Sequence, residues 1–193
     1  TAGADTIDVG TRTATGTFTT IAADTIKLDT GADVKGVDSG AGAGGAFTAN
    51  NLSLVSGASV TMTAAQNNSF SGTITAAGSE TITLSDANAA TGLANIEAYT
   101  LANGAQTFTL GAASQDVTTG SGAVVIDTGS IADITDAALD GSSSSSLTIN
   151  VAADTDISDA IITGDLGTQD ANYTIDVAGN ADAITMTIAQ HAL

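Results

Sequence analysis

Aspartate is the residue of this chain whose type and spacing point most directly to chemistry. Of the 21 acidic residues, 19 are aspartates, and many of them stand beside glycine or another turn-forming residue. Short carboxylates next to turn carbonyls suit Ca²⁺, which takes six to eight oxygen ligands in a flexible geometry. We therefore predict a Ca²⁺ site whose ligands come from Asp29, Asp33, Asp154, Asp156 and Asp159. The alternative is that these aspartates only form turns and add solubilising charge.

Catalytic side chains are scarce in this sequence. A hydrolase or transferase needs a nucleophile, a base and an orienting group. The one histidine, His191, has no partner that the sequence identifies, and cysteine is absent. We therefore predict that the chain is not an enzyme and assign it no catalytic residue and no organic cofactor. One enzymatic alternative stays open, a polysaccharide-cleaving site built from paired carboxylates.

The charge balance excludes several partners. Three basic residues stand against 21 acidic ones, which gives a net charge of −18. Such a chain is repelled by nucleic acid and by anionic membrane surfaces. No apolar run reaches the length of a membrane span. We expect neither nucleic acid binding nor membrane insertion, and we expect Ca²⁺ to offset part of the self-repulsion.

Short strands recur along the whole sequence. Hydrophobic residues make up 42% of the chain and charged residues 12%, a composition that favours folding over disorder. Alternation of β-branched and polar residues with period two marks half-buried strands. The segments with this alternation are 17–19, 25–28, 52–54, 60–63, 73–75, 81–84, 107–110, 124–126, 147–151, 173–177 and 184–188. One helical turn is expected at 87–94, and residues 40–45 and 142–146 read as flexible connections.

The shortage of bulky side chains decides between all-β architectures. Aromatic residues make up 3% of the chain, and tryptophan and proline are absent. A β-sandwich normally uses some aromatic side chains to fill the space between its sheets. A parallel β-solenoid needs only ladders of small and medium apolar residues, with glycine, asparagine and aspartate at its corners. We predict an all-β parallel β-solenoid, with a β-sandwich as the alternative.

An internal repeat organises the chain. Thr61–Gln66 returns as Thr185–Gln190 at an offset of 124 positions, with five of six positions identical. Residues 25–28 match 148–151, Asp33 matches Asp156, and residues 7–10 match 126–129 at similar offsets. We predict one continuous β-repeat module over 1–193, in which copies 1–69 and 123–193 flank a single-copy segment 70–122. This pattern indicates a piece of a longer array, in which Leu193 is followed by a segment like 70–75.

Threonine-x-threonine runs suggest a binding alternative. They occur at 61–63, 73–75, 81–83 and 107–109. Ranked threonines on a flat solenoid face can bind ice, whereas the simpler interpretation is that threonine is a good strand residue. The irregular spacing of the runs does not establish a regular array. An ice-binding or glycan-binding surface module is thus an alternative function.

Three segments carry a resemblance to a known class of proteins. Residues 58–66, 92–101 and 106–113 resemble the β-strand-repeat regions of giant secreted bacterial surface proteins, including RTX-type adhesins and S-layer proteins. The Gly-Gly-x-Gly-x-Asp nonapeptides of RTX β-rolls are absent from the sequence. The resemblance implies secretion, a cell-surface role and Ca²⁺-assisted folding.

The predicted function follows from the fold and this resemblance together. We predict an extracellular structural protein, secreted or at the cell surface, that builds a filament, surface layer or adhesin stalk. Exposed end strands would pair with identical subunits or tandem repeats, so its partner is a copy of itself.

Overall fold

The chain is a parallel β-solenoid, as the sequence predicts. A computed structural model describes residues 3–39, 42–151, 155–163 and 173–177, the last range as backbone only. Every pairing between the named strands of this part is parallel. The alternative of a β-sandwich is therefore wrong, because sandwiches are built from antiparallel hairpins and Greek keys.

Successive strands alternate between two faces of the solenoid, which we call face A and face B. Face A holds the odd-numbered strands: β1 Thr6–Gly10, β3 Thr25–Leu28, β5 Asn51–Leu54, β7 Ile74–Thr75, β9 Ala90–Thr91, β11 Gln106–Thr109, β13 Ala123–Asp127, β15 Ser146–Val151 and β17 Tyr173–Val177. Face B holds the even-numbered strands: β2 Thr13–Thr17, β4 Asp33–Asp38, β6 Ser59–Met62, β8 Thr81–Leu84, β10 Ala98–Thr100, β12 Asp116–Thr118, β14 Ala138–Asp140 and β16 Ile161–Thr163. One strand from each face with its two corners forms a coil.

The core lies between the two faces and consists of stacked apolar side chains. On face B, one inward column runs through Val60, Ile82, Tyr99, Val117 and Leu139, which are paired in register from β6 to β14. Each of these residues is at most 1% exposed. Because every coil contributes only a few inward residues, a thin core of small side chains suffices to bury the whole interior.

Aspartate and glycine form matching corners in the two repeat copies. The Oδ1 atom of Asp8 accepts the amide of Gly10 at 2.9 Å, and Oδ1 of Asp127 accepts the amide of Gly129 at 2.7 Å. Both glycines adopt left-handed backbone conformations, with φ of 62° and 60°. The two corners lie six coils apart, at the ends of β1 and β13.

The corners that lead from face B back to face A change length along the solenoid. In the first three coils they are long, at 18–24, 39–50 and 63–73; in the next four they are short, at 85–89, 101–105, 119–122 and 141–145. Each long corner contributes one phenylalanine to a stack. The ring centroids of Phe18 and Phe47 are 6.2 Å apart, and those of Phe47 and Phe70 are 5.6 Å apart. The long corners thus add an aromatic layer that the later coils lack.

Face A is interrupted where the long corners stop. Its strands form two sheets, β1-β3-β5-β7 and β9-β11-β13-β15-β17, and β7 does not pair with β9. Asparagine side chains bridge this gap: Asn95 Nδ2 donates to the carbonyl of Ile74 at 2.9 Å, and Asn68 Oδ1 accepts the amide of Thr91 at 3.0 Å. We call this interruption the step.

The helix lies at the step rather than at 87–94. Helix α1 spans Ala64–Ser69, and Thr63 caps its first turn through a reciprocal pair of hydrogen bonds with Gln66. The prediction of a helical turn at 87–94 was wrong, because that segment contains β9 and a short corner. A Thr-x-x-Gln capping box was the signal for α1 in the sequence. Among the described residues, no helix is long and apolar enough to cross a membrane.

Candidate functional site

Two of the aspartates predicted to bind Ca²⁺, Asp33 and Asp156, perform the same local role. Oδ1 of Asp33 accepts the amide of Lys35 at 3.2 Å, and Oδ1 of Asp156 accepts the amide of Ser158 at 2.9 Å. The amide of Ser158 holds the pKa of Asp156 below its usual value. Asp33 also forms an ion pair with the Lys35 ammonium at 2.5 Å. An ammonium at that position competes with a metal ion for the same carboxylate.

The other predicted ligands differ in their surroundings. Oδ1 of Asp29 is buried in the corner between β3 and β4 and has no hydrogen-bond partner. Asp159 is exposed in a turn, and Asp154 lies outside the described residues. Within the described part of the chain, no three histidine, aspartate or glutamate side chains converge on a point where they could hold a metal ion. The structure thus places no three of the described predicted ligands in one cluster.

The high proportion of aspartate has a structural explanation. Among the described residues, five aspartates accept the backbone amide of the residue two positions later, a geometry that suits a side chain of this length. They are Asp8, Asp33, Asp127, Asp140 and Asp156. Glutamate is one methylene longer and does not favour this turn, so aspartate is the acidic residue that a solenoid with many corners uses.

Glu80 and Glu97 form an acidic pair that sequence reasoning missed. Glu80 is fully buried, and its carboxylate accepts the amides of Gly57 and Ala77 at 3.1 Å and of Gly78 at 2.9 Å. Burial raises the pKa of Glu80. The Ala77 amide, the Glu97 side chain and the Gly57 amide together lower it by more, so the pKa of Glu80 is below its usual value. Glu80 therefore holds a corner together as a carboxylate.

A cleft of about 350 Å³ opens at the step. Its wall combines the apolar side chains of Phe70, Ile74 and Leu93 with the polar side chains of Asn68 and Thr91. None of its lining residues is titratable. Its lining thus contains no acidic or basic side chain that could activate the hydroxyls of Ser71 and Thr91.

A column of threonines stands on the outer side of face B. Thr61, Thr83, Thr100 and Thr118 are paired in register across β6, β8, β10 and β12. They alternate along their strands with buried core residues and therefore point outward. A second column two residues earlier contains Ser59, Thr81, Ala98 and Asp116.

The threonine-x-threonine runs of the sequence only partly contribute to this column. Residues 73–75 and 107–109 lie at face A strands, and Thr63 caps α1. Thr100 and Thr118 belong to no such run, and sequence reasoning missed them. The spacing between column members is 22, 17 and 18 residues, so unequal corner lengths hide the column from any search at a fixed period.

Comparison with known proteins identifies no family for this chain. No family model matches the chain, and no curated protein or solved structure is significantly similar to it. The features of this chain that bear on its function are therefore the strand ladder of the solenoid, the edges of that ladder and its two faces.

Proposed function

We propose that this chain is a structural segment of an extracellular surface protein that extends by adding β-coils end to end. The observation that carries the proposal is the ladder edge at β1 and β2. Among the described residues, each of these strands pairs with one neighbour, β3 and β4 respectively, which leaves its other side for the coil of a further repeat or of another copy. An unpaired strand edge is a template for pairing with another chain or repeat.

The backbone of β1 presents usable groups at that edge. The amide of Thr25 donates to the carbonyl of Asp5 at 2.9 Å, which places the backbone groups of Asp5 on the side of β3. Because these groups alternate in direction along a strand, the N–H and C=O of Thr6 point away from β3. Two hydrogen bonds fix the backbone conformation of this edge. Oδ1 of Asp24 accepts the amide of Asp5 at 2.9 Å, and Oδ2 of Asp24 accepts the amide of Ile21 at 2.8 Å.

The repeat keeps an extended ladder in phase. Residues 25–28 lie in β3, and their sequence matches 148–151 lie in β15, six coils further along face A. A sequence repeat that spans a whole number of coils returns each residue type to the same face and corner. Additional repeats can then stack without changing the register of the core.

The remaining parts of the proposal rest on the resemblance to secreted bacterial surface proteins. Location at the cell surface and assembly into a filament, layer or stalk agree with a regular rod that carries a charge of −18. We also include stabilisation of the corners by Ca²⁺ in this proposal. Asp29 is its strongest support, because one buried carboxylate oxygen there has no partner.

Analytical ultracentrifugation of the chain over a range of protein concentrations tests end-to-end assembly. We expect linear oligomers that grow with concentration and with salt, because salt screens the repulsion between acidic subunits. Thr6→Pro removes the outward N–H and should abolish assembly, whereas Thr6→Val keeps the N–H and should assemble normally. If the unmodified chain stays monomeric at all concentrations and salt levels, end-to-end stacking through β1 is wrong.

A further inference from the structure

We propose that the threonine column of face B between β6 and β12, together with the outward residues Ser59, Thr81, Ala98 and Asp116 beside it, binds the surface of ice. The proposal does not depend on end-to-end stacking, because these residues lie on the side of the rod. It rests on the arrangement of outward positions across four strands that pair without a register shift.

The two columns form a two-dimensional lattice. Neighbouring strands of a sheet are about 4.8 Å apart, and outward residues two positions apart on one strand are separated by about 6.6 Å. Water oxygens on the prism faces of hexagonal ice also repeat in two perpendicular directions, and the shorter of these repeats is close to the spacing between strands. A column of threonines at that spacing, each with one hydroxyl and one methyl group, can therefore hold a row of water molecules at ice-like positions.

The chemistry of the surface favours frozen water over other occupants. Seven of the eight lattice positions are uncharged. Asp116 lies within the lattice, and Asp33 and Asp140 are paired with Thr61 and Thr118 at the two ends of the threonine column. Lys27, Lys35 and Arg12 all lie outside β6 to β12. Charged side chains bind their own hydration water strongly, so their scarcity leaves the lattice free to order water.

Competing ligands fit this surface less well. Glycans commonly stack on exposed aromatic rings, but Tyr99, the aromatic residue of these four strands, is 1% exposed. A nucleic acid would meet the repulsion of a strongly acidic protein. Crystalline water has no net charge, so the acidic protein does not repel it, and one of its repeats is close to the spacing between strands.

Ice-recrystallisation inhibition and thermal hysteresis of the purified chain test the proposal. We expect slower recrystallisation and a measurable hysteresis. Both should be lost in the double variant Thr83→Lys with Thr100→Lys, which places long charged side chains in the centre of the lattice. The matched control is Thr107→Lys with Thr148→Lys, which adds the same charge to outward positions of face A and should keep both activities.

Partitioning into slowly growing ice gives a second measurement that does not require strong inhibition of growth. The unmodified chain and the face A control should be enriched in the ice, and the face B variant should be excluded from it. Circular dichroism of each variant checks that it is folded. Exclusion of the unmodified chain from ice overturns the proposal, and so does equal loss of binding in both double variants.

Stacking and ice binding can fail separately in these experiments. Thr6→Pro lies outside the lattice, so a monomeric Thr6→Pro chain should still partition into ice. A chain that assembles but never enters ice would contradict only the inference about face B.

Discussion

The amide of Glu80 donates a hydrogen bond to the carboxylate of Glu97 at 3.0 Å, so the two glutamates of the sequence meet on adjacent coils. The carboxylate of Glu80 in turn accepts the amide of Gly57 on the preceding coil. Three successive coils are therefore connected through acidic side chains at one corner. This corner combines negative charge, burial and a complete set of backbone donors.

Glu80→Gln should destabilise the fold by about 1 to 3 kcal/mol, because the amide group turns an N–H donor toward a backbone N–H. The folded pKa of Glu80 is lowered from 4.5, so its ionised form adds stability above that pH and loses it as the pH falls through the folded value. Urea unfolding between neutral and acidic pH should show a weaker acid dependence in the variant. Asp159→Asn, at an exposed turn, is the control and should leave the midpoint nearly unchanged. Equal acid sensitivity of Glu80→Gln and the unmodified chain would contradict this role.

Tyr99→Phe should destabilise the step by about 1 to 3 kcal/mol. The amide of Leu93 donates to the Tyr99 hydroxyl at 2.9 Å, and that hydroxyl donates to Oδ1 of Asn67 at 3.0 Å. Burial raises the pKa of Tyr99 far above its usual value, so the hydroxyl stays protonated and able to donate. Phenylalanine would leave a buried donor and a buried acceptor unpaired.

A double-mutant cycle measures whether Tyr99 and Asn67 act together. Tyr99→Phe, Asn67→Ala and the combined variant should be non-additive in urea unfolding, since both single changes break the same network. Thr83→Val, which changes an outward hydroxyl, is the comparison and should have a small effect. Additive free energies in the cycle would argue against the network.

Gly111→Ala should cost about 3 kcal/mol, at the upper end for overpacking. A Cβ atom at this position would lie 1.9 Å from the carbonyl oxygen of Gly92 on the preceding coil, so the two backbones would have to separate. Gly3→Ala is the matched control, because a Cβ there meets nothing within 4 Å. Thermal melts followed by circular dichroism should distinguish the two variants. Similar melting temperatures would show that this corner can relax.

Calcium should raise the melting temperature more than magnesium does at equal ionic strength if Oδ1 of Asp29 contributes to a Ca²⁺ site. We expect this difference, and we expect EDTA to reverse it. Asp29→Asn should remove the difference between the two metals. Asp133→Asn removes the same charge at an exposed position and should keep that difference. A calcium response that survives in Asp29→Asn would locate the site elsewhere, and no response in the unmodified chain would argue against calcium.

The sequence predicted the strands of face A better than those of face B. Strands such as β3, β15 and β17 alternate apolar and polar residues over four to six positions, which period-two reasoning detects. Strands β10, β12 and β14 have three residues each and present one buried side chain. A single inward residue has no periodicity, so these strands were missed.

The candidate sites depend on contacts between coils, which single-sequence reasoning could not place. The position of Glu80 beside Glu97 and of Thr83 beside Thr100 follows from corner lengths that vary from coil to coil. The aspartates were recognised, but their hydrogen bonds to the residue two positions later are a local geometry that composition does not distinguish from metal binding. The predictions for Asp154, for residues 184–188 and for the second copy of Thr61–Gln66 fall outside the described residues.

The step also divides the solenoid into two halves that can respond separately to mechanical load. Face A has no backbone ladder between β7 and β9, so the two halves are joined there by the ladder of face B, by core packing and by side-chain hydrogen bonds such as those of Asn68 and Asn95. Under tension along the axis, we expect the rod to open first at this joint and each half to unzip as its own cooperative unit. A tandem array of such repeats would carry one joint in every six coils, and its extension under load would occur in steps of that length.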